Sequence, residues 1–204
     1  MKKILVVVAS VLVATAVSAQ AKLGFRAGAS VSELKFNSVT FNGFTLTPNS
    51  SDVVDFHSAI VLNLQIPGFI FLQPELQYNT VSSKFLMTPT SGVKQKITYS
   101  RSSLQVPVLA GFNIGFLKLS AGPVFNLTSD ESTTKNSRGV KIESKNNPIG
   151  YQLGVGLRLR NLILEARYAS SMEKSKYTFT SNGKSKSVTP KDDYQLMFSA
   201  GLLF

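Results

Sequence analysis

A two-residue period in side-chain polarity constrains this chain more than any other feature of its sequence. In YQLGVGLRLRNLILEARYAS, residues 151–170, apolar side chains alternate with Gln, Gly, Arg and Glu on both sides of Asn161. Successive side chains of a β-strand point to opposite faces, so this alternation predicts strands with one apolar and one polar face. The pattern occurs, with little helical periodicity, at residues 23–31, 54–64, 70–80, 103–114, 117–127, 151–160, 162–168 and 194–204.

The connections between these eight segments alternate in length. The second and third, fourth and fifth, and sixth and seventh segments are joined by short turns, whereas the other connections are long and rich in Ser, Thr, Asn, Lys and Gly. A soluble meander would have mostly short connections. Short turns at one end and long polar loops at the other are typical of outer-membrane barrels. We therefore predict an all-β fold: an eight-stranded, antiparallel, up-and-down transmembrane β-barrel with periplasmic termini and four external loops.

The distribution of charge indicates which face of each strand meets lipid. The apolar rows carry no charge, whereas the polar rows hold both signs. Turning Arg or Lys toward lipid costs roughly 2–4 kcal/mol at the bilayer midplane, and the interior of an eight-stranded barrel is just wide enough for side chains to fill. A soluble β-sandwich with one polar face is the alternative. We predict a lumenal ion-pair network of Arg26, Glu75, Lys118, Arg158, Glu165 and Arg167.

Aromatic residues lie toward the ends of the apolar rows. Such residues form girdles at the two membrane interfaces of barrels. The predicted interface aromatics are Tyr78, Phe125, Tyr151, Tyr168, Tyr194 and Phe204. Pro74, Pro107 and Pro123 fall inside predicted strands, where each removes a ladder donor, so we expect bulges or missing hydrogen bonds there.

The first residues have the pattern of a secretory signal peptide. Lys2 and Lys3 precede an apolar stretch, and Val17-Ser18-Ala19 forms a small-residue cleavage site. We predict a signal peptide at residues 1–19 and a barrel domain at residues 20–204, exported to the outer membrane of a diderm bacterium. No later stretch approaches the roughly 18 consecutive apolar residues of a transmembrane helix.

Composition leaves little room for catalysis. The chain has no Cys and one His, so we expect no disulfide, no metal site and no cofactor. His57 and Ser58 suggest a lipid A hydrolase, but adjacent strand residues lie on opposite faces. Glu75 and Glu165 could act as paired acids, although arginines in the same rows favour ion pairs. We therefore predict no catalytic residue.

The long loops are the basic part of the chain, whose net charge is +11. Residues 82–101 hold Lys84, Lys94, Lys96 and Arg101 with no acid. Such loops could bind lipopolysaccharide phosphates beside the outer-membrane lipids, or they could form a merely solvated rim. Nucleic acid is excluded as a partner because the loops lack interleaved aromatic residues and the compartment is wrong. The sequence indicates no particular protein partner.

Several motifs in order along the chain add a resemblance to this pattern. They are LGFRAGAS, FLQPELQYN, SSLQVPVLAGF, LSAGPVFNL, YQLGVGLRL and the terminal FSAGLLF. In these the chain resembles PorT-like outer-membrane β-barrel proteins, which are common in Bacteroidetes. The resemblance implies that Phe198 and Phe204 belong to a C-terminal signal read by the barrel-insertion machinery. It also implies a link to protein secretion, which no motif here carries.

These features predict a structural or interaction protein that displays loops at the cell surface without catalysis. A narrow channel or transporter for small or hydrophobic solutes is the alternative, followed by an accessory component of outer-membrane protein secretion. A lipid A-modifying enzyme is the least favoured hypothesis.

Overall fold

The computed structural model describes residues 20–35, 37–49, 54–66, 69–90, 93–133, 140–144, 149–173, 176–181, 183–190 and 192–204. The predicted signal peptide, residues 1–19, lies outside these ranges. Within them, no helix has the length and apolar character needed to cross a membrane. The described strands are β1 (Gln20–Lys35), β2 (Val39–Phe41), β3 (Phe44–Asn49), β4 (Val54–Gln65), β5 (Ile70–Pro89), β6 (Gln95–Ile114), β7 (Leu117–Thr133), β8 (Lys141–Ser144), β9 (Ile149–Leu159), β10 (Leu162–Ser171), β11 (Tyr177–Ser181), β12 (Lys184–Val188) and β13 (Asp192–Leu203).

Eight of these strands form a closed antiparallel ring. Their order is β1, β4, β5, β6, β7, β9, β10 and β13, and β13 pairs with β1 to close the ring from Gly24↔Leu203 to Lys35↔Asp192. Each segment predicted from the two-residue period falls in one of them, except that Arg160 lies in a turn and Phe204 follows the end of β13. The predicted bounds were too short, because β5 and β6 each contain 20 residues.

The short turns at one end of the ring, which we call the turn end, have backbone conformations that suit hairpins. Gly115 has φ +62° between β6 and β7, and Arg160 has φ +57° between β9 and β10. Positive φ at these positions matches the twist of the flanking strands.

The three strand prolines interrupt the ladders as expected. The β4–β5 pairing skips Pro74, the β5–β6 pairing skips Pro107, and the β6–β7 pairing skips Pro123 opposite β6. The β6–β7 register also shifts between Leu104 and Gln105. The ring therefore accommodates proline through missing bonds and one irregularity.

The long connections are not the polar loops that the sequence predicted. β2 and β3 form a hairpin that pairs with residues 84–89 of β5, and β8, β11 and β12 form a separate three-stranded sheet. We call these five strands, with residues 84–89 of β5 and 95–99 of β6, the cap. It buries an apolar core of Val39, Phe44, Leu46, Phe85, Met87, Ile97, Tyr99, Val140, Ile142, Tyr177 and Phe179.

Aromatic contacts and polar bridges join the two sheets of the cap. Phe85 meets Phe179 edge to face, with ring centroids 6.0 Å apart. The Lys186 ammonium donates a 3.0 Å hydrogen bond to the Thr40 carbonyl, which ties β12 to the β2 edge. Because Phe85 lies on the inner side of β5, the core of the cap lies on the lumen side of the ring strands.

Side-chain polarity inverts along β5 while the alternation continues. Near the turn end the inward residues include Gln73 and Glu75, whereas Phe85 and Met87 point inward in the cap. The β5–β6 ladder shows no register shift. The outward face becomes more polar, from exposed Leu76 to Lys84 and Thr88 in the cap, with half-buried Leu86 between them. The strands thus cross a boundary between two surroundings without a change of geometry.

Candidate functional site

Charged side chains from four strands meet in the lumen, the interior of the ring. They are Arg26 of β1, Glu75 of β5, Lys118 of β7, and Glu165 and Arg167 of β10, and we call these five residues the ion cluster. All are buried. The strand alternation places each on the inner face, and the closed ring brings residues 92 positions apart into contact.

Glu75 is the centre of the ion cluster. Arg167 donates two hydrogen bonds to the Glu75 carboxylate, from Nη2 to Oε1 at 2.7 Å and from Nη1 to Oε2 at 3.0 Å. Arg26 Nη2 donates to Oε2 at 2.7 Å, and Gln73 Nε2 donates to Oε1 at 2.6 Å. A buried carboxylate is stable only when its oxygens are paired in this way.

Glu165 connects Lys118 to Arg167 and so to the rest of the ion cluster. Its Oε2 accepts a 2.6 Å bond from Arg167 Nη2, and its Oε1 accepts a bond from the Lys118 ammonium. Lys118 Nζ also lies 4.7 Å from the centroid of the Phe71 ring, within cation–π range. Both carboxylates are thus held as ion pairs, an arrangement unlike two acids sharing a proton.

Carboxamides complete the ion cluster, and the sequence prediction did not include them. Gln77 Oε1 accepts a 3.0 Å bond from Arg26, and Gln152 Oε1 accepts a 3.2 Å bond from Arg167. The signal that could have identified them is their position in the same polar rows as the charged residues.

Arg158 departs from the predicted network. It is only partly buried, and its guanidinium donates a 2.9 Å hydrogen bond to Gln65 Oε1 near the turn end. The ion pairs among the described residues do not include it. Arg158 lies beside the turn before β10, too far along the strand to join the layer of Glu75.

The lumen is stacked in layers. A small apolar floor of Ala59, Val61, Ile163 and Leu203 lies near the turn end. Beyond the ion cluster comes a polar chamber of about 80 Å³, bordered by Arg101, Asn126 and Gln195 among others. The core of the cap follows on the lumen side of β5 and β6. The floor, the ion cluster, the chamber and the apolar core therefore follow one another along the axis of the ring.

The structure does not bring His57 and Ser58 together. His57 is fully buried in the lumen, and neither ring nitrogen has a hydrogen-bond partner among the described residues. Ser58 lies on the opposite face of β4. A general base must come within about 3 Å of the proton that it removes. Among the described residues, no three His, Cys, Asp or Glu side chains are grouped as metal ligands.

The predicted interface aromatics lie on the outer face of the ring. Tyr151, Tyr168 and Tyr194 form a row, with centroids 6.1 Å and 5.5 Å apart, and the Tyr194 hydroxyl donates to the Glu33 carboxylate. Tyr78 and Phe125 lie at the same end of the ring, the loop end. Phe204 is 71% exposed at the turn end.

Two further outward aromatics at the turn end, Phe69 and Phe116, are exposed, and the sequence prediction did not include them. They lie in the short turns, where the two-residue period does not predict which face a side chain occupies. Phe198 is exposed on the outer face of β13, and the Phe204 amide donates a 2.8 Å bond to the Leu23 carbonyl. Both residues of the predicted assembly signal are therefore on the outer surface beside the β1–β13 seam.

An apolar outside around a charged inside defines a protein of the lipid bilayer. Residues 18–177 match the model for the outer membrane protein beta-barrel domain, and the chain belongs to this family of outer-membrane proteins.

A solved structure, that of OprG, shares this fold. OprG from Pseudomonas aeruginosa is 10% identical and superposes with a TM-score of 0.54, covering 90% of this chain and 95% of that one. AlkL is 14% identical with a TM-score of 0.45, covering 89% and 90%, and E. coli outer membrane protein W is 13% identical with a TM-score of 0.42, covering 90% and 97%. No curated protein sequence matches the chain.

Proposed function

We propose that this protein is a membrane-anchored display protein, in which a barrel with a filled lumen holds the cap at the cell surface and performs no catalysis. The observation that carries the proposal is the layered lumen. The ion cluster occupies its middle, and the apolar core of the cap lies beyond the loop-side chamber. Solutes would have to displace paired, buried charges to pass.

The free energy needed to displace these buried charges supports a barrel that does not conduct ions. Removing one partner from a buried ion pair costs about 3–5 kcal/mol, because the other charge is left uncompensated. The Glu75 carboxylate holds two arginines at once. A transient opening of this layer would break several such contacts together.

The cap supplies a folded surface rather than flexible loops. The outer face of its three-stranded sheet carries cross-strand hydroxyl pairs, Thr178–Ser187 and Thr180–Ser185, both at 3.0 Å. Exposed lysines lie on the cap, at Lys96 and Lys184 for example. Their charge supports lipopolysaccharide phosphates as a partner.

Conductance in planar bilayers tests the filled lumen. The full chain, reconstituted at defined copy number, should show no ion current. A variant combining Glu75→Ala, Arg26→Ala and Arg167→Ala removes the largest side chains of the middle layer and serves as the control for an opened lumen. Steady current through the wild-type chain would instead favour the narrow channel or transporter.

Lipid A analysis tests the absence of catalysis. Expressing the wild-type chain should leave the mass spectrum of lipid A unchanged, and His57→Ala should give the same spectrum. A modified lipid A species that disappears in His57→Ala would refute the non-catalytic assignment.

The orientation and route of export belong to the same proposal. Residues 1–19 direct secretion, the eight-stranded up-and-down barrel has periplasmic termini, and Phe198 and Phe204 contact the barrel-insertion machinery. An amine reagent that cannot cross the outer membrane, added to intact cells, should label Lys96 and Lys184 of the cap and spare Lys22 near the turn end. Labelling of Lys22 and not of the cap lysines would reverse the orientation.

The sequence motifs support a PorT-like member of a Bacteroidetes type, and a role as an accessory of protein secretion is the variant of the proposal that they raise. Deleting the gene should leave the secreted proteins unchanged if the protein is a display anchor. Loss of secreted proteins would assign the accessory role.

A further inference from the structure

The lipid-facing surface of the barrel contains a hollow of about 590 Å³. It crosses five neighbouring strands, β6, β7, β9, β10 and β13. Its outward-facing lining is almost entirely apolar, and includes Ala110, Ala121, Leu153, Val155, Ala166 and Phe198. The size falls within the roughly 300–1,000 Å³ of ligand sites.

Small residues on both faces of the wall produce the hollow. Ala110 and Ala121 are paired across the β6–β7 ladder. Because each side chain is a single methyl group, the outer surface is recessed at this position. On the inner face, a Cβ added at Gly154 would lie 3.2 Å from the Arg167 Cγ. Because Gly154 has no side chain, the barrel wall lies directly against the ion cluster. The outer surface is therefore recessed here.

The surroundings of the hollow determine what fills it. The hollow is continuous with the band of exposed Leu, Phe and Ile that meets lipid, and its lining offers almost nothing polar to water. A gap beside apolar atoms loses their dispersion contacts, so a flexible apolar group is drawn into it. A second copy of the chain fits poorly, because a two-fold interface would place one hollow opposite the other.

Charge on the outer surface beyond the two ends of the hollow distinguishes the two leaflets. At the turn end, Arg160 is exposed in the β9–β10 turn, and residues 158–162 and 114–117 contain no acid. At the opposite end, the row of Tyr151, Tyr168 and Tyr194 borders the hollow, and Glu33 accepts the Tyr194 hydroxyl. A phosphate is therefore favoured at the turn end and disfavoured at the other.

We propose that the hollow is a binding site for one phospholipid, with an acyl chain along Ala121 and Ala166 and its phosphate beside Arg160. From Leu162, beside the turn that holds Arg160, to Ala166 the strand advances four residues, or ~13 Å at 3.3 Å per residue, which an extended acyl chain covers. With the orientation proposed above, this lipid belongs to the periplasmic leaflet.

Native mass spectrometry of the full chain, titrated in detergent with dioleoyl phosphatidylglycerol, tests the site. The wild-type chain should retain one lipid tightly. Ala121→Phe and Ala110→Phe fill the hollow and should each weaken retention about tenfold, since packing drives association among apolar groups in a membrane. Arg160→Gln should weaken it about fivefold, because a basic residue near anionic lipid contributes about 1 kcal/mol.

Ala27→Phe is the matched control, because Ala27 is an outward alanine of β1, a strand that does not line the hollow. It should retain the lipid as the wild type does. Gel mobility before and after heating verifies that each variant is folded. If neither filling variant folds, a phosphatidylglycerol with a photoreactive acyl chain should label β7 and β9 of the wild-type chain.

Four results would overturn the proposal. Retention that is equal in the wild type and both filling variants, or photolabel spread evenly over the outer surface, would remove the site. Lipid A that displaces phosphatidylglycerol with no effect of Arg160→Gln would place the lipid in the other leaflet. A dimer that Ala121→Phe dissociates would make a second copy the occupant.

Discussion

The barrel and the cap share strands β5 and β6 but have opposite interiors. In the barrel, inward residues of β5 such as Glu75 are charged and outward residues such as Leu76 are apolar. In the cap, the inward Phe85 and Met87 are apolar and Lys84 lies on the other face. The two regions show that alternation defines the strand, whereas the surrounding solvent decides which face is apolar.

The two interiors are also stabilised differently. The cap excludes water from its apolar core, as a soluble domain does. The barrel wall gains little from moving apolar groups between lipid and protein, so its interior depends on paired charges and hydrogen bonds. A substitution should therefore have effects of different size in the two regions.

Loss of the central carboxylate should produce the largest effect. Glu75→Ala leaves Arg26 and Arg167 without their shared partner, and should lower the free energy of unfolding by about 3–5 kcal/mol. Urea titration of the reconstituted full chain, followed by gel mobility without heating, measures this. Glu143→Ala is the control, because the Lys141–Glu143 pair is 70% and 53% exposed and such pairs contribute about 0–1 kcal/mol. Equal losses would contradict the distinction between the regions.

A cavity in the cap should have a local effect of similar size. Phe179→Ala removes a fully buried ring that packs on Phe85, at a cost of about 3–5 kcal/mol. Limited proteolysis should then cut the cap while the barrel keeps its fast mobility on unheated gels. Thr178→Ala, on the opposite face of β11, should stay within about 0.5 kcal/mol. A barrel that unfolds together with the cap would show that the two regions form one cooperative unit.

The position of the boundary between the regions can be measured on one face of one strand. Leu76→Lys puts a charge toward lipid and should cost about 2–4 kcal/mol if residue 76 lies near the midplane. Leu86→Lys, on the same face of β5 within the cap, should cost under about 1 kcal/mol. Urea titration in vesicles measures both. Equal costs would mean that residue 86 also lies within the membrane.

The bridge between the two sheets of the cap should give the smallest effect. Lys186→Met removes the 3.0 Å bond to the Thr40 carbonyl, and should lower the stability of the cap by about 0.5–1.5 kcal/mol. Hydrogen exchange of the β2 and β12 amides measures it. Lys184→Met, from the same edge strand, is the comparison and should leave exchange unchanged. If both variants changed the exchange equally, the effect would be due to net charge.

Much of the barrel could be predicted from the sequence, because lipid imposes a strict alternation. The eight segments, their order and the inward direction of Glu75 and Arg167 all follow from it. The partners of each charge did not follow, since they depend on how far neighbouring strands are staggered. Arg158 was therefore assigned to the network, although the stagger brings it to Gln65 near the turn end.

The cap was missed because its signal was taken for that of a loop. Residues 85–99 include alternating apolar pairs, Phe85 with Met87 and Ile97 with Tyr99, among many polar residues. The predicted end of β5 at Thr80 coincides with the place where polarity changes face. Once water replaces lipid, a strand can continue with its apolar side turned inward, and the change was taken for its end.

The uninterrupted passage of β5 and β6 from the barrel into the cap has a mechanical consequence. The ladder from Gln77↔Gln105 to Met87↔Gln95 is continuous, and its hydrogen bonds lie perpendicular to the strands. A pull on the cap away from the cell would load this hairpin lengthwise and shear its ladders to β4 and β7, so that many bonds resist together. A force parallel to the membrane plane would instead be needed to break the bonds one at a time from one edge.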